Sequence, residues 1–202
     1  MTSLSFRSSS RRAVPLRAVV GLLTWAIVSG MSLVSGTVVG ASPALAQEPV
    51  LAWEAKGLAQ PESVLLDPVS DVLFVANING AVMQKDGDGF ISRIKPDGTI
   101  LERNWAKGFN SPTGMGLHGR TLYVADIRAK KTYAYAIQPD GTLKNKRLFC
   151  ELGSDGMTID SAGNVYVTGR GVTVFNPQGK QIEHIPVDAR WTANVCFGGR
   201  DG

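Results

Sequence analysis

The chain has 202 residues, 44% of them hydrophobic and 19% charged, so it carries enough apolar side chains to bury a core and is not a wholly disordered chain. Its formal net charge of +4 arises from 21 Lys and Arg against 17 Asp and Glu, and the whole excess precedes residue 47, where Arg7, Arg11, Arg12 and Arg17 meet no acid. The rest of the chain balances its charges, so a basic face for nucleic acid or anionic lipid has no support.

Residues 1–46 read as an export signal. A Ser- and Arg-rich start is followed by an apolar stretch from Val19 to Val39 and by Ala44-Leu45-Ala46, a cleavage site of the A-x-A type, with cutting expected before Gln47. Ser10-Arg11-Arg12 suggests the twin-arginine route, while Pro15 keeps the general secretory route open. The Gly and Ser breaks and the A-x-A ending favour a cleaved signal over a membrane anchor. The mature protein, 47–202, is therefore expected in the periplasm or outside the cell, free of the membrane once cut.

The mature part repeats itself. Leu73-Phe74-Val75-Ala76-Asn77, Leu122-Tyr123-Val124-Ala125-Asp126 and Val165-Tyr166-Val167-Thr168-Gly169 are apolar pentads that recur about every 45 residues. Upstream of each lies a short landmark: Pro61-Glu62-Ser63-Val64, Pro112-Thr113-Gly114-Met115 and Ser154-Asp155-Gly156-Met157. Downstream an alternating strand ends in a turn, Pro96-Asp97-Gly98, Pro139-Asp140-Gly141 or Pro177-Gln178-Gly179, in which Pro fixes φ and Gly supplies a positive one. No part shows helical periodicity. About four strands per unit at this period predict an all-β fold, a β-propeller, with blades near 51–100, 101–145 and 146–189 and an incomplete one over 190–202. A β-sandwich is the other reading, but it leaves the recurring order unexplained. Thr192 to Phe197 is expected to open the fourth blade. Three and a half blades leave strand edges open, so the chain is expected to be a fragment of a longer propeller.

Several chemistries lack their residues. With only His118 and His184, a three-His metal site is excluded; there is no G-x-S-x-G elbow and no Gly-rich phosphate loop before a helix. Asp86-Gly87-Asp88-Gly89 departs from the EF-hand pattern and reads as a polar hairpin loop. Arg128-Lys130-Lys131 and Lys144-Lys146-Arg147 read as a solvated face, and Asn77 and Asp126 as strand terminators. An oxidising compartment permits a Cys150–Cys196 disulfide, although two small buried apolar residues is the simpler reading.

Residues 153–202 carry a D-G-M-x-x-D-x-x-G-N block at Asp155 and a C-F-G-G block at Cys196, and so closely resemble the gluconolactonase/regucalcin (senescence marker protein) family; residues 57–127 resemble it more loosely, or a general NHL-type propeller. The resemblance implies a six-bladed propeller that hydrolyses a sugar lactone with one divalent cation, Ca²⁺, Mg²⁺ or Zn²⁺. It places Glu62 and Asp155 as metal ligands, Asp155 also as catalytic base, and Thr113 in the slot of the family's Asn ligand. No counterpart of the family's substrate-binding Asn and Arg is found. The alternative is a non-catalytic, NHL-like propeller that binds a ligand or protein partner. On the residues alone, Asp155-Gly156 reads as a turn pair before a strand and Glu62 as a surface carboxylate.

Overall fold

A computed structural model of the chain describes residues 2–8, 50–81 and 84–198. The chain divides into two units. One, residues 7–52, falls mostly outside the described residues, as does the predicted export signal apart from strand β1 (Thr2–Ser8). The other, residues 1–6 and 53–202, carries everything below.

Its architecture is a partial propeller, all-β, of three four-stranded antiparallel blades. The first blade is β3 (Pro61–Asp67), β4 (Val72–Asn77), β5 (Gly89–Ile94) and β6 (Ile100–Phe109), paired in that order. The second is β7 (Pro112–His118), β8 (Thr121–Asp126), β9 (Lys131–Ile137) and β10 (Leu143–Cys150). The third is β11 (Met157–Ile159), β12 (Val165–Gly169), β13 (Gly171–Phe175) and β14 (Gln181–Ile185). Each blade begins with its innermost strand, and β7 lies between β3 and β11.

The pentads are β4, β8 and β12, the second strand of each blade. They read as unbroken apolar runs because both of their faces are covered. Along β8, Leu122 and Val124 enter the core shared with the first blade, which includes Phe74, Ile91 and Phe109. Tyr123 and Ala125, on the opposite face, enter the core shared with the third, with Phe149, Val165 and Val167. Phe74 stacks on Trp105 at 4.6 Å, and Tyr123 meets Phe149 edge-on at 4.8 Å.

The Pro-x-Gly turns behave as their chemistry requires, with Gly98, Gly141 and Gly179 at φ +88°, +79° and +82°. They join the third strand of each blade to the fourth. This moves the predicted blade limits, because cutting at 100 and 145 would strand Ile100–Phe109 and Leu143–Cys150, which close the first and second sheets. Residues 51–60 lie outside the first sheet. They mostly form β2 (Val50–Leu58), whose Ala55 and Leu58 pack on Val75 and Ile94.

Thr192 to Phe197, expected to open a fourth blade, is not a strand. It is held to the end of β12, with Thr192 N–H donating to Gly169 O at 2.8 Å and Phe197 edge-on to Tyr166 at 5.2 Å. Both cysteines are free; Cys150 is buried and Cys196, in that irregular segment, is exposed. Among the described residues no helix is long and apolar enough to cross a membrane.

Candidate functional site

The landmarks begin the inner strands, and a chain of hydrogen bonds ties those beginnings together. Ser63 Oγ donates to Thr113 O at 2.5 Å, Thr113 Oγ1 donates to Ser154 O, and Gly114 N–H reaches the same carbonyl at 3.4 Å. A Cβ at Gly114 would stand 3.1–3.2 Å from the backbone of Asp155 and Gly156, so a side chain there would have to push that loop back by a few tenths of an ångström. Glu62, Thr113 and Asp155 thus come together at one end of three adjacent inner strands.

The pentad ends hold this arrangement, which makes them more than strand terminators. Asn77, fully buried, accepts Ala59 N–H at 3.0 Å just before β3 and donates to Val75 O and Ser92 Oγ. Asp126 accepts the N–H groups of Asn110 at 2.8 Å and Ser111 at 3.1 Å just before β7. Thr168 bonds Ser154 Oγ at 2.8 Å and accepts Gly156 N–H at 3.1 Å on either side of Asp155. One polar residue per blade therefore positions the loop that delivers each site residue.

Glu62 senses the charge of Asp155. Glu62 is exposed as a residue, yet its carboxyl group is partly withdrawn from water against the inner-strand wall. That desolvation, then the charge of Asp155, holds it above the usual carboxylate range, against a lowering hydrogen bond with Ser63. Among the described residues neither carboxylate forms an ion pair, and their hard oxygens suit Ca²⁺ or Mg²⁺. No third His, Cys, Asp or Glu among the described residues joins them. Thr113, 3% exposed, turns its hydroxyl to the backbone carbonyls of Ser154 and Ala125, where it joins β7 to the loop before β11.

Two neighbours of Asp155 escape a sequence reading. Trp191 donates its indole N–H to Asp155 Oδ2 at 2.6 Å, and Asn194 Oδ1 occupies the space where a Cβ on Gly156 would stand. Both come from the segment after β14, and only folding brings them to Asp155. The basic clusters are also more than a solvated face: Lys146 Nζ lies 4.3 Å from the Tyr133 ring centre, and Arg128 Nε is buried.

The Glu62 environment fixes a pH dependence. The folded protein holds the Glu62 proton more tightly than the unfolded chain, whose carboxyl titrates near 4.5. That contribution to stability is complete below 4.5 and is lost as pH rises through the higher folded value. Cation-free protein is expected to melt at falling temperature as pH rises above 4.5, and Glu62→Gln to flatten that slope; identical slopes would refute the coupling. Asp97 and Asp140 do not mask it, because the backbone N–H groups of Thr99 and Thr142 hold them below 3.8, in a lower window.

Residues 54–202 match the family described as SMP-30/Gluconolactonase/LRE-like region. Regucalcin of Xenopus laevis is 27% identical over 134 residues, 61% of this chain and 44% of that protein. The structure of a gluconolactonase from Xanthomonas campestris has a TM-score of 0.60 at 24% identity, over 71% of this chain and 52% of its own. That of a calcium-binding regucalcin from Agrobacterium tumefaciens has a TM-score of 0.60 at 20% identity, over 70% and 50%. At these identities the structural likeness is one of fold. The chain spans about half the length of the curated relatives it matches. With the match covering nearly all of the three blades, the chain belongs to the SMP-30/gluconolactonase/LRE-like family.

Proposed function

We propose that this chain is part of an exported lactone hydrolase of the gluconolactonase type, dependent on a divalent cation and acting on a sugar lactone. The observation that carries the reading is the placement of Glu62 and Asp155, two carboxylates from the first and third blades, at the starts of the inner strands, near enough for the charge of Asp155 to add to the rise that burial causes at Glu62. Family membership supports it.

Glu62 and Asp155 would hold the cation, which when bound polarises a carbonyl and eases the deprotonation of water. Asp155 has two tasks. Its Oδ2 is fixed by the Trp191 indole, which leaves Oδ1 to accept the proton of the attacking water. The ring C–O bond then breaks, and the proton passes from Asp155 to the departing oxygen, giving the hydroxy acid. Ser63, Thr113 and Thr168 keep the three loops in register.

The test is hydrolysis of glucono-lactone by the purified protein with Ca²⁺, Mg²⁺ or Zn²⁺ and with chelator. Turnover lost on chelation and restored by a cation is expected; turnover indifferent to chelator would sink the cation's role. Export, the source of the periplasmic or secreted location, is tested by the mature N-terminus: Gln47 is expected, and an intact Met1 start would refute it. A second reading, a non-catalytic propeller binding a ligand or protein partner, is favoured by the commitment of Thr113 Oγ1 to backbone carbonyls. A stable fold that hydrolyses no lactone would support it.

A further inference from the structure

Pro112 pairs with Asp126, which puts the loop after β8 at the same end of the second blade as the start of β7. The loop entering β11 and the segment after β14 meet it there. Between them lies a cavity of about 400 Å³, lined by Ile127, Arg128, Lys130, Glu151, Leu152 and Trp191. Its size falls within the range of small-molecule sites. It is linked to Asp155 through Trp191, which lines the cavity and donates its indole N–H to that carboxylate.

The lining is unlike a polyol site. A sugar needs donors and acceptors on every side, whereas Ile127 and Leu152 present only hydrocarbon. Trp191 spends its one donor on Asp155, so what it offers the cavity is ring surface. Arg128 supplies the missing polar element, because it lines the cavity and its buried Nε has no hydrogen-bond partner among the described residues, so its guanidinium is free to turn towards an acceptor. Lys130 adds a second cation, and Glu151 is the one acid in the wall.

We propose that this cavity is the substituent pocket of the site and selects a molecule with an apolar, preferably aromatic, group ending in a carboxylate, the carboxylate meeting Arg128. The inference rests on the lactonase reading for its link to turnover, but the pocket is testable by binding alone.

The experiment is calorimetric titration of the protein with 4-phenylbutyrate, butyrate and gluconate, in wild type, Arg128→Met and Leu152→Asp. Melting curves confirm that each variant is folded. In parallel, hydrolysis of γ-phenyl-γ-butyrolactone, a carboxylated analogue of it, and glucono-lactone is measured. 4-Phenylbutyrate is expected to bind about tenfold or more tighter than butyrate or gluconate. Arg128→Met should weaken it by about tenfold, since a charge-assisted hydrogen bond is lost. Leu152→Asp should abolish binding through charge repulsion and a polar wall. For the carboxylated lactone, Arg128→Met should raise KM more than it lowers kcat. Equal binding of the three acids, or affinity unchanged by Arg128→Met, overturns the pocket. Arg128-dependent binding without turnover of any lactone supports the pocket and refutes the lactonase reading.

Discussion

Asp155→Asn is expected to lower lactone hydrolysis by about 10²- to 10⁴-fold, the usual contribution of a positioned general base. The substitution is close to isosteric, and the amide oxygen can still accept the Trp191 indole N–H, so the loop keeps its main anchor. What disappears is the basic oxygen and one of two facing charges. Glu62 is held high first by desolvation and second by Asp155, so its carboxyl should move down towards the ordinary range without reaching it. Removing a like charge also relieves repulsion, and at neutral pH the cation-free variant should melt no lower than wild type. Calcium-dependent stabilisation should weaken, because a carboxylate ligand has become an amide. Rate measurements beside melting curves decide the matter. Loss of activity in an undiminished fold marks Asp155 as base and ligand, whereas a parallel fall in both would reduce it to a residue that shapes the loop.

The largest effect on stability is expected at Asp126. This carboxylate is 1% exposed, and it accepts three backbone N–H groups: Asn110 at 2.8 Å, Ser111 at 3.1 Å and Ala129 at 2.9 Å. Asp126→Ala leaves these donors without their acceptor, two of them in the turn into β7 and one in the loop that bears Arg128. Each such loss costs about 1–3 kcal/mol, so at least about 3 kcal/mol in total is expected, a fall in Tm of roughly 10 °C for a domain of this size. Asp126→Asn keeps one acceptor oxygen but turns an amide donor towards the others, and should lie between. Denaturant unfolding of both variants checks the order. An alanine variant within about 0.5 kcal/mol of wild type would show that water replaces the carboxylate.

The two effects separate because the residues do different things with the same chemistry. Asp126 satisfies its oxygens with buried backbone donors, whereas Asp155 meets one donor and faces another acid. The first arrangement holds a loop still; the second leaves a charge to be used.

Much of the fold is legible along the chain because its causes are local. A strand covered on both faces has to be apolar throughout, so β4, β8 and β12 stand out as pentads. A hairpin with a residue at positive φ calls for glycine, so the turns at Gly98, Gly141 and Gly179 stand out too. Blade limits were less legible, since a Pro-Asp-Gly turn dictates that two strands pair without dictating which sheet they close. The same limit governs the site. Glu62 and Asp155 were marked out by the motifs around them, yet nothing local says that their charges meet.

The repeat, the strands and turns of each blade and the all-β class are legible along the chain, for these follow from pleat, φ and burial within a few residues, whereas the two carboxylates stand out only through the family resemblance. Only the tertiary structure decided that β6 and β10 close the sheets before them and that Thr113 spends its hydroxyl on Ser154. It alone set Trp191 against Asp155 and left Arg128 Nε unsatisfied beside a cavity, because those contacts join side chains from different blades, and their energies do not exist until the blades have packed.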